Sequence, residues 1–302
     1  LGEPLPTASA EQLQVFKQGL EVAERRFALS DGLGPAFNTT FCIACHRRPT
    51  LGGGSGLYRN FFMAGTRLPD GSFIPAESAG DAGGVVRMYY YGTDEPARPS
   101  FPDTINVVTQ RNPIPFYGVG LLAEVSESEI LSRADPDDED GDGISGRPNW
   151  DRGFVGRFGR KAQTVSIEAF LRGPLFNHLG ITTDPLSEEM KGELPVDSRS
   201  RLVSAYWSAV RGLRIFAQAA APDEPLLDSD GVPDPEMSAE DLFALVSFAM
   251  LLAAPELETP SEQSVRGANV FDKIGCGSCH TPRIEGPRGP LHVYSDLLLH
   301  DM

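Results

Sequence analysis

The chain is short of basic residues, of cysteine, of histidine and of long apolar runs. Against 42 Asp plus Glu it has 26 Lys plus Arg, a formal net charge of −16 over 302 residues. With a pI near 4.7, it lacks the clustered positive charge that a nucleic acid or an anionic membrane surface demands. Its longest nearly apolar stretch, Leu242 to Ala254, falls short of the ~18 residues that a membrane-spanning helix needs. The chain opens on Leu1 with no charged-then-apolar leader, so either a removed signal peptide or a late start is expected. Glycine and proline are in excess, at 32 and 25 residues, well above the usual combined share of ~12%. That predicts a loop-rich protein with short helices. The 40% hydrophobic content still suffices for a real core and excludes general disorder. Length alone suggests two domains of roughly 150 residues each.

The four cysteines fall in two pairs, Cys42-Ile43-Ala44-Cys45-His46 and Cys276-Gly277-Ser278-Cys279-His280. Both are C-x-x-C-H, the attachment pattern of c-type haem. The two thiols stand far enough apart to form thioethers with the two vinyl groups on one porphyrin edge, and the adjoining histidine swings under the ring as the fifth iron ligand. A four-thiolate zinc site or a dithiol redox centre would also use paired cysteines, but neither explains a histidine after each pair. With 5 histidines in the chain, that coincidence is roughly 3 in 10,000 on composition. Covalent haem places the protein outside the cytoplasmic membrane, in the periplasm of a bacterium, and leaves no thiol for a disulfide.

Apolar residues at helical spacing predict a helix over Glu11 to Leu29, ahead of the first motif. The Gly- and Pro-rich residues 49–118 read as a long insertion with a strand-like run at Val85 to Tyr91 and a small β-hairpin. Further helices are expected at Ser126 to Arg133, Thr164 to Phe176, Ser198 to Ala219 and Ala239 to Ala253, the last capped by Ser238 with Glu240 and Asp241 in its first turn. Residues 255–260 read as a linker, and Ser261 to Ile274 as a helix leading into the second motif. The expected fold is therefore mainly α, with two cytochrome c-like haem domains, long loops and a small β-hairpin insertion. Residues 1–255 form the first haem domain, with the insertion and an acidic loop; residues 256–302 begin a second. That second part has no closing helix and is too short to bury a haem unaided, which favours a truncated chain over one completed by another polypeptide.

Several stretches together resemble the di-haem oxidoreductase family, formerly called thiol oxidoreductases, relatives of bacterial di-haem cytochrome c peroxidases and of MauG. They are Gly32 to Asn38 (GLGPAFN), Gly118 to Leu122 (GVGLL), Ala134 to Asn149 (ADPDDEDGDGISGRPN), Gly156 to Ala162 (GRFGRKA), Leu179 to Thr182 (LGIT) and Tyr294 to Met302 (YSDLLLHDM). The resemblance implies two haems, an electron donor or acceptor protein such as a small cytochrome or cupredoxin, and peroxide or another small substrate. Members of the family usually continue well past the last of these stretches. Glu124, just past GVGLL, is the candidate for moving a proton between peroxide oxygens; the family pattern has Glu one place earlier, at Ala123. Gln110 and Arg111 are weaker candidates; Trp150 and Trp207 could lie on an electron route between the haems, though packed aromatics are the better default reading.

What fills each sixth iron position separates a catalyst from a carrier. Met302 and His300 closely follow the second motif and are candidate distal ligands there. His178, the one free histidine upstream of the second motif, is the candidate at the first. The run Asp135 to Ser145 (DPDDEDGDGIS) has Asp138, Asp140 and Asp142 at alternate positions, then Gly143 for a sharp turn and the Ile144 carbonyl, as in the first half of an EF-hand loop. Asn149 stands where that loop has its bidentate Glu. These five residues are a candidate calcium site, and the resemblance implies calcium between haem domains. The sequence favours a peroxidase-like enzyme, one haem taking electrons from a donor protein and the other reacting. The alternative is a non-catalytic di-haem electron-transfer cytochrome within a larger assembly.

Overall fold

The computed structural model describes residues 1–76, 84–90, 103–196 and 225–301. The expectation of a mainly α fold is overturned. Helix makes up 32% and strand 18% of the structure, the strands forming several small sheets. The physical reason lies in the Gly- and Pro-rich middle. Runs such as Phe61–Arg67 and Val107–Arg111 are aromatic and β-branched, and they pair with each other across 42 to 50 residues, where no local periodicity can show it.

Seven α-helices are described. They are α1 (Ala10–Glu24), α2 (Val119–Ala123), α3 (Glu127–Leu131), α4 (Ile167–Pro174), α5 (Glu188–Gly192), α6 (Ala239–Leu251) and α7 (Glu262–Lys273). Several start where the sequence signals place them. Ser126, Ser238 and Ser261 each accept from the backbone N–H three residues on, satisfying a donor that a helix start leaves orphaned. Helix α1 ends at Glu24 rather than Leu29. Phe27 still reaches the core, but along extended chain whose N–H donates to the Thr40 carbonyl. The expected helix over Thr164 to Phe176 begins later, behind the Ser166 cap, and gives way after Pro174 to a wide π-turn, Leu175–Leu179. The expected helix at Ser198 to Ala219 lies outside the described residues, as do Trp207 and Met302.

The main core forms around α6, which is buried almost all round and packs across α1. This explains why its sequence is so uniformly apolar: it is a core helix. Among the described residues no helix is long and apolar enough to cross a membrane. The crossing point is Gly19, where a Cβ would stand 2.0 Å from the Ala244 carbonyl oxygen. Gly120 of α2 meets the Met250 carbonyl in the same way, at 1.9 Å.

The largest sheet is centred on β2 (Phe61–Arg67). It pairs antiparallel with β6 (Val107–Arg111) on one side, and with β3 (Phe73–Pro75) and β4 (Val85–Val86) on the other. A two-residue pairing of β1 (Ala36–Phe37) with β5 (Tyr89–Tyr90) brings Asn38 beside Met88. The short hairpin of β8 (Trp150–Asp151) and β9 (Phe154–Val155) turns at Arg152 and Gly153, both at positive φ.

A second, smaller core joins Val125, Ile130 and Val155 to Ile284, with Leu291, Val293, Leu297 and Leu298 against it. The hairpin of β10 (Ile284–Gly286) and β11 (Gly289–Leu291) supplies part of it. Then β12 (Leu298–Leu299) pairs with β7 (Arg147–Pro148) at the end of the acidic run. Arg157, 2% exposed, sits between the two cores and spends its guanidinium on the Val125 and Val155 carbonyls. Residues 253–260, including the expected linker, carry no regular secondary structure.

Candidate haem sites and acidic loops

Both C-x-x-C-H motifs fold as one turn of 3-10 helix, Cys42–Ala44 and Cys276–Ser278. Each turn is closed by the N–H of its second cysteine on the carbonyl of the first, and the histidine follows at its end. At the first motif, the glycine-rich run after His46 folds straight back. Gly52 N–H donates to the His46 carbonyl, Arg48 and Gly54 exchange backbone hydrogen bonds, and the Gly53 carbonyl accepts from His46 Nδ1 at 3.1 Å. Only glycine fits this return: a Cβ at Gly53 would lie 1.9 Å from the Arg48 carbonyl oxygen. At the second motif His280 Nδ1 donates in the same way to the Tyr294 carbonyl, at 3.2 Å.

A carbonyl oxygen only accepts, so each Nδ1 must hold its proton and each Nε2 keeps a free lone pair. That is the form an imidazole needs to bind iron. Burial pushes the His46 ring's pKa down, keeping it neutral. Burial also pushes the Cys42 thiol up, to about 12, and raises Cys45. A thiol held protonated is the opposite of a poised dithiol or thiolate centre. Nor do the two cysteine pairs converge: among the described residues, the clusters with metal-ligand spacing contain only carboxylates. The zinc reading therefore has no site, while the residues of both turns fit a haem.

The surroundings of the two motifs differ. Ile43 and Ala44 are buried in the first, and Phe116 stands edge-on to His46 with ring centres 5.2 Å apart. Phe116 in turn contacts Phe248 of α6, which packs on Phe16 of α1. In the second motif His280 is exposed and no residue of α7 is buried. The Cys279 thiol is raised by burial first and then by Asp296 and Asp142, which brings the acidic run close to this motif.

His178 lies on the π-turn, which is fastened to the segment leading into the first motif. Asn38 N–H donates to the His178 carbonyl at 2.7 Å, and Gly34 N–H to the Leu179 carbonyl at 3.0 Å. Arg87, buried, donates to the Phe176 and Asn177 carbonyls. The His178 ring contacts Phe61 edge-on and the Asn38 amide at Nδ1. Its pKa falls to about 4, through burial and the fields of His46 and Arg87. The fold thus brings His178 to the first motif, 132 residues away in sequence.

The remaining candidates are placed as follows. His300 has both ring nitrogens engaged, Nδ1 on the Ser145 carbonyl and Nε2 on Asp296. Glu124 forms a two-point ion pair with Arg288, at 2.8 and 2.7 Å. Trp150 is 55% exposed. Gln110 and Arg111 are on strand β6. In the acidic run, Asp138 and Asp140 converge with Asp135, not with Asp142, their oxygens within 4.8 Å of one another. Asp142 instead accepts from the Ile144 N–H, and Asn149 donates to the Lys161 carbonyl.

Sequence reasoning missed Asn38, Gly53, Tyr294, Asp135 and a second acidic cluster, Asp228, Asp230 and Glu236. The alternate acids of Asp228-Ser-Asp230-Gly231 repeat the pattern of the first run and could have signalled it. There Glu236 Oε2 accepts from Thr182 N–H, while Oε1 is buried without a partner. Burial and the neighbouring Asp228 and Asp230 push its carboxyl up to about 7, against the Thr182 hydrogen bonds.

Residues 101–302 match the family described as "di-haem oxidoreductase, putative peroxidase". No curated protein and no solved structure gave a match. The family match covers two thirds of the chain, including the second motif, the acidic run and His178. The chain belongs to the di-haem oxidoreductase family.

Proposed function

We propose that this di-haem oxidoreductase holds its two haems covalently, through Cys42 and Cys45 and through Cys276 and Cys279, with His46 and His280 as the proximal iron ligands. The observation that carries this reading is the common geometry of the two turns, each histidine giving its Nδ1 proton to a backbone carbonyl and keeping Nε2 free. When bound, the haems supply one-electron transfer and the reduction of a peroxide. The protein's part is positional. Gly53 and Tyr294 orient the ligating rings, and Phe116 with Ile43 shields His46 from water. The exposed second motif is the entry point for electrons from a small donor protein, a cytochrome or cupredoxin. The enclosed first motif is the reacting site.

Attachment of this kind places the protein in the periplasm or an equivalent extracytoplasmic space. The chain divides near residues 255 and 256, within the stretch without regular structure. Asp135, Asp138 and Asp140 hold a calcium ion beside the second motif, where it offsets the acidic field that Asp142 and Asp296 impose on Cys279.

Intact mass of the purified protein, with optical spectra under reduction and peroxide turnover with a reduced donor, tests the proposal. Two haems per chain and donor-dependent peroxide consumption are expected. A single haem, or two that ignore peroxide while cycling with the donor, would leave an electron carrier and overturn the enzymatic reading. Calcium chelation should shift the spectrum of the second haem; a silent response would leave the acidic run as a solvated turn.

A further inference from the structure

Three histidines can be sorted by what their Nδ1 atoms face. For His46 and His280 it is a carbonyl oxygen. For His178 it is the Asn38 side-chain amide, Nδ2 to Nδ1 at 3.0 Å. The direction of that contact follows from the other end of the amide, because Asn38 Oδ1 accepts the Met88 backbone N–H at 2.9 Å. Turning the amide over would set two donors face to face at Met88, and with the amide as it stands a protonated Nδ1 would face a second donor in Nδ2. Asn38 therefore donates to His178, whose Nδ1 must present a lone pair. In the neutral ring the proton then sits on Nε2. A ring in this tautomer has no lone pair at Nε2 to give an iron; it has an N–H to give a ligand of the iron.

The placement agrees. Strand pairing of Ala36–Phe37 with Tyr89–Tyr90 fixes Met88 against Asn38, and Asn38 lies four residues before Cys42. Two backbone hydrogen bonds from Asn38 and Thr39 hold the His178 carbonyl. Arg87 holds the carbonyls of Phe176 and Asn177 just before it. His178 lies on a π-turn, a widened turn of the kind often found at functional sites.

We propose that His178 is a non-ligating hydrogen-bond donor at the first haem, its Nε2–H serving a small oxygen or anionic ligand of the iron, and that Asn38 is the positioning residue that sets this tautomer. The inference rests on haem attachment at Cys42, Cys45 and His46, but not on peroxide turnover.

The test compares the holoprotein with Asn38→Asp and His178→Phe, by low-temperature EPR, optical spectra and fluoride titration of the ferric form, with haem content from intact mass. Wild type should have one high-spin haem that binds fluoride. His178→Phe should keep that haem high-spin and weaken fluoride binding about tenfold, the worth of one hydrogen bond. Asn38→Asp keeps an acceptor for Met88 and offers another to Nδ1. The His178 proton then moves to Nδ1, Nε2 becomes a ligand, and the high-spin signal should turn into that of a low-spin bis-imidazole haem.

A wild-type bis-imidazole signal that vanishes in His178→Phe would overturn the proposal, since His178 would then be a ligand. So would an unchanged spin state and fluoride affinity in both variants. Missing haem in the mass would sink the attachment reading instead. Absent turnover with the expected spin-state exchange would sink only the peroxidase reading.

Discussion

The two C-x-x-C-H motifs share a sequence pattern, a turn and a histidine hydrogen bond, yet they are set in opposite surroundings. The first lies at the edge of the main core, against Phe116 and below α6. The second follows a helix with no buried residue and ends in an exposed histidine. A local motif therefore specifies the chemistry that a site can hold, and the packing around it specifies who can reach that site. An enclosed centre suits a reaction that must exclude water, and an open one suits exchange with another protein.

The sharpest way to break this contrast is to remove each histidine in turn. His46→Ala and His280→Ala should each abolish the normal spectrum of one haem. Truncating the enclosed His46 should cost about 2 kcal/mol more stability than truncating the exposed His280, in line with core against surface substitutions. Equal costs in thermal or urea unfolding would mean that the first site is no better packed than the second.

The helices that lead into the motifs offer a matched pair. A Cβ at Gly19 of α1 meets the Ala244 carbonyl at 2.0 Å, whereas a Cβ at Gly267 of α7 meets nothing within 4 Å. Gly19→Ala should destabilise by about 2–3 kcal/mol through overpacking. Gly267→Ala should stabilise its helix by ~0.5–1 kcal/mol, from the entropy glycine forfeits on folding. Unfolding curves in urea would read both signs, and a stabilising Gly19→Ala would contradict the close helix crossing.

The acidic clusters repeat the contrast in weaker form. Glu236, with its carboxyl raised to about 7, holds its proton in the folded state at pH values where the unfolded chain has lost it. The folded state then binds more protons between about pH 4.5 and 7, so stability falls as pH rises through that window. Glu236→Gln should remove the fall, raising stability at pH 8 by about 1 kcal/mol after allowance for solvent screening, with little change at pH 4. Thermal unfolding at the two pH values checks this, and a gain of the same size at both would show that proton binding is not its source. The smallest effect is expected at the Glu124–Arg288 pair, with side chains 15% and 43% exposed. A double-mutant cycle there should give about 0.5–1 kcal/mol, and a coupling well above that would mark the pair as more than a rim contact.

The parts of the fold legible in the sequence were those with local causes. Ser126, Ser238 and Ser261 announce their helices, and the uniformly apolar Leu242–Leu252 announces the core. Each C-x-x-C-H announces its turn. The sheet around β2 was invisible beyond a hairpin, because Phe61 finds Arg111 and Phe62 finds Val86 across long intervals of Gly- and Pro-rich chain. The candidate site was half legible for the same reason. His46 and His280 follow from spacing, but the Asn38 contact with His178 spans 140 residues. Asp135 was passed over because an EF-hand register begins at Asp138, whereas the turn that forms also draws in the acid three places earlier.

The latch between β12 and the acidic run also has a kinetic consequence. The His46 contact with Gly53 closes a loop of 7 residues, whereas the His300 contact with Ser145 closes one of 155. Chain-closure entropy alone makes the longer loop about 2.7 kcal/mol harder to close. The turn around the first motif can therefore form almost as soon as its residues exist, while the segment beyond the second is fastened only after most of the chain has found its place. On the proposed covalent attachment, the two pairs of thiols would meet that chemistry at different stages, one beside a loop that closes early and the other on a chain still waiting for its anchor.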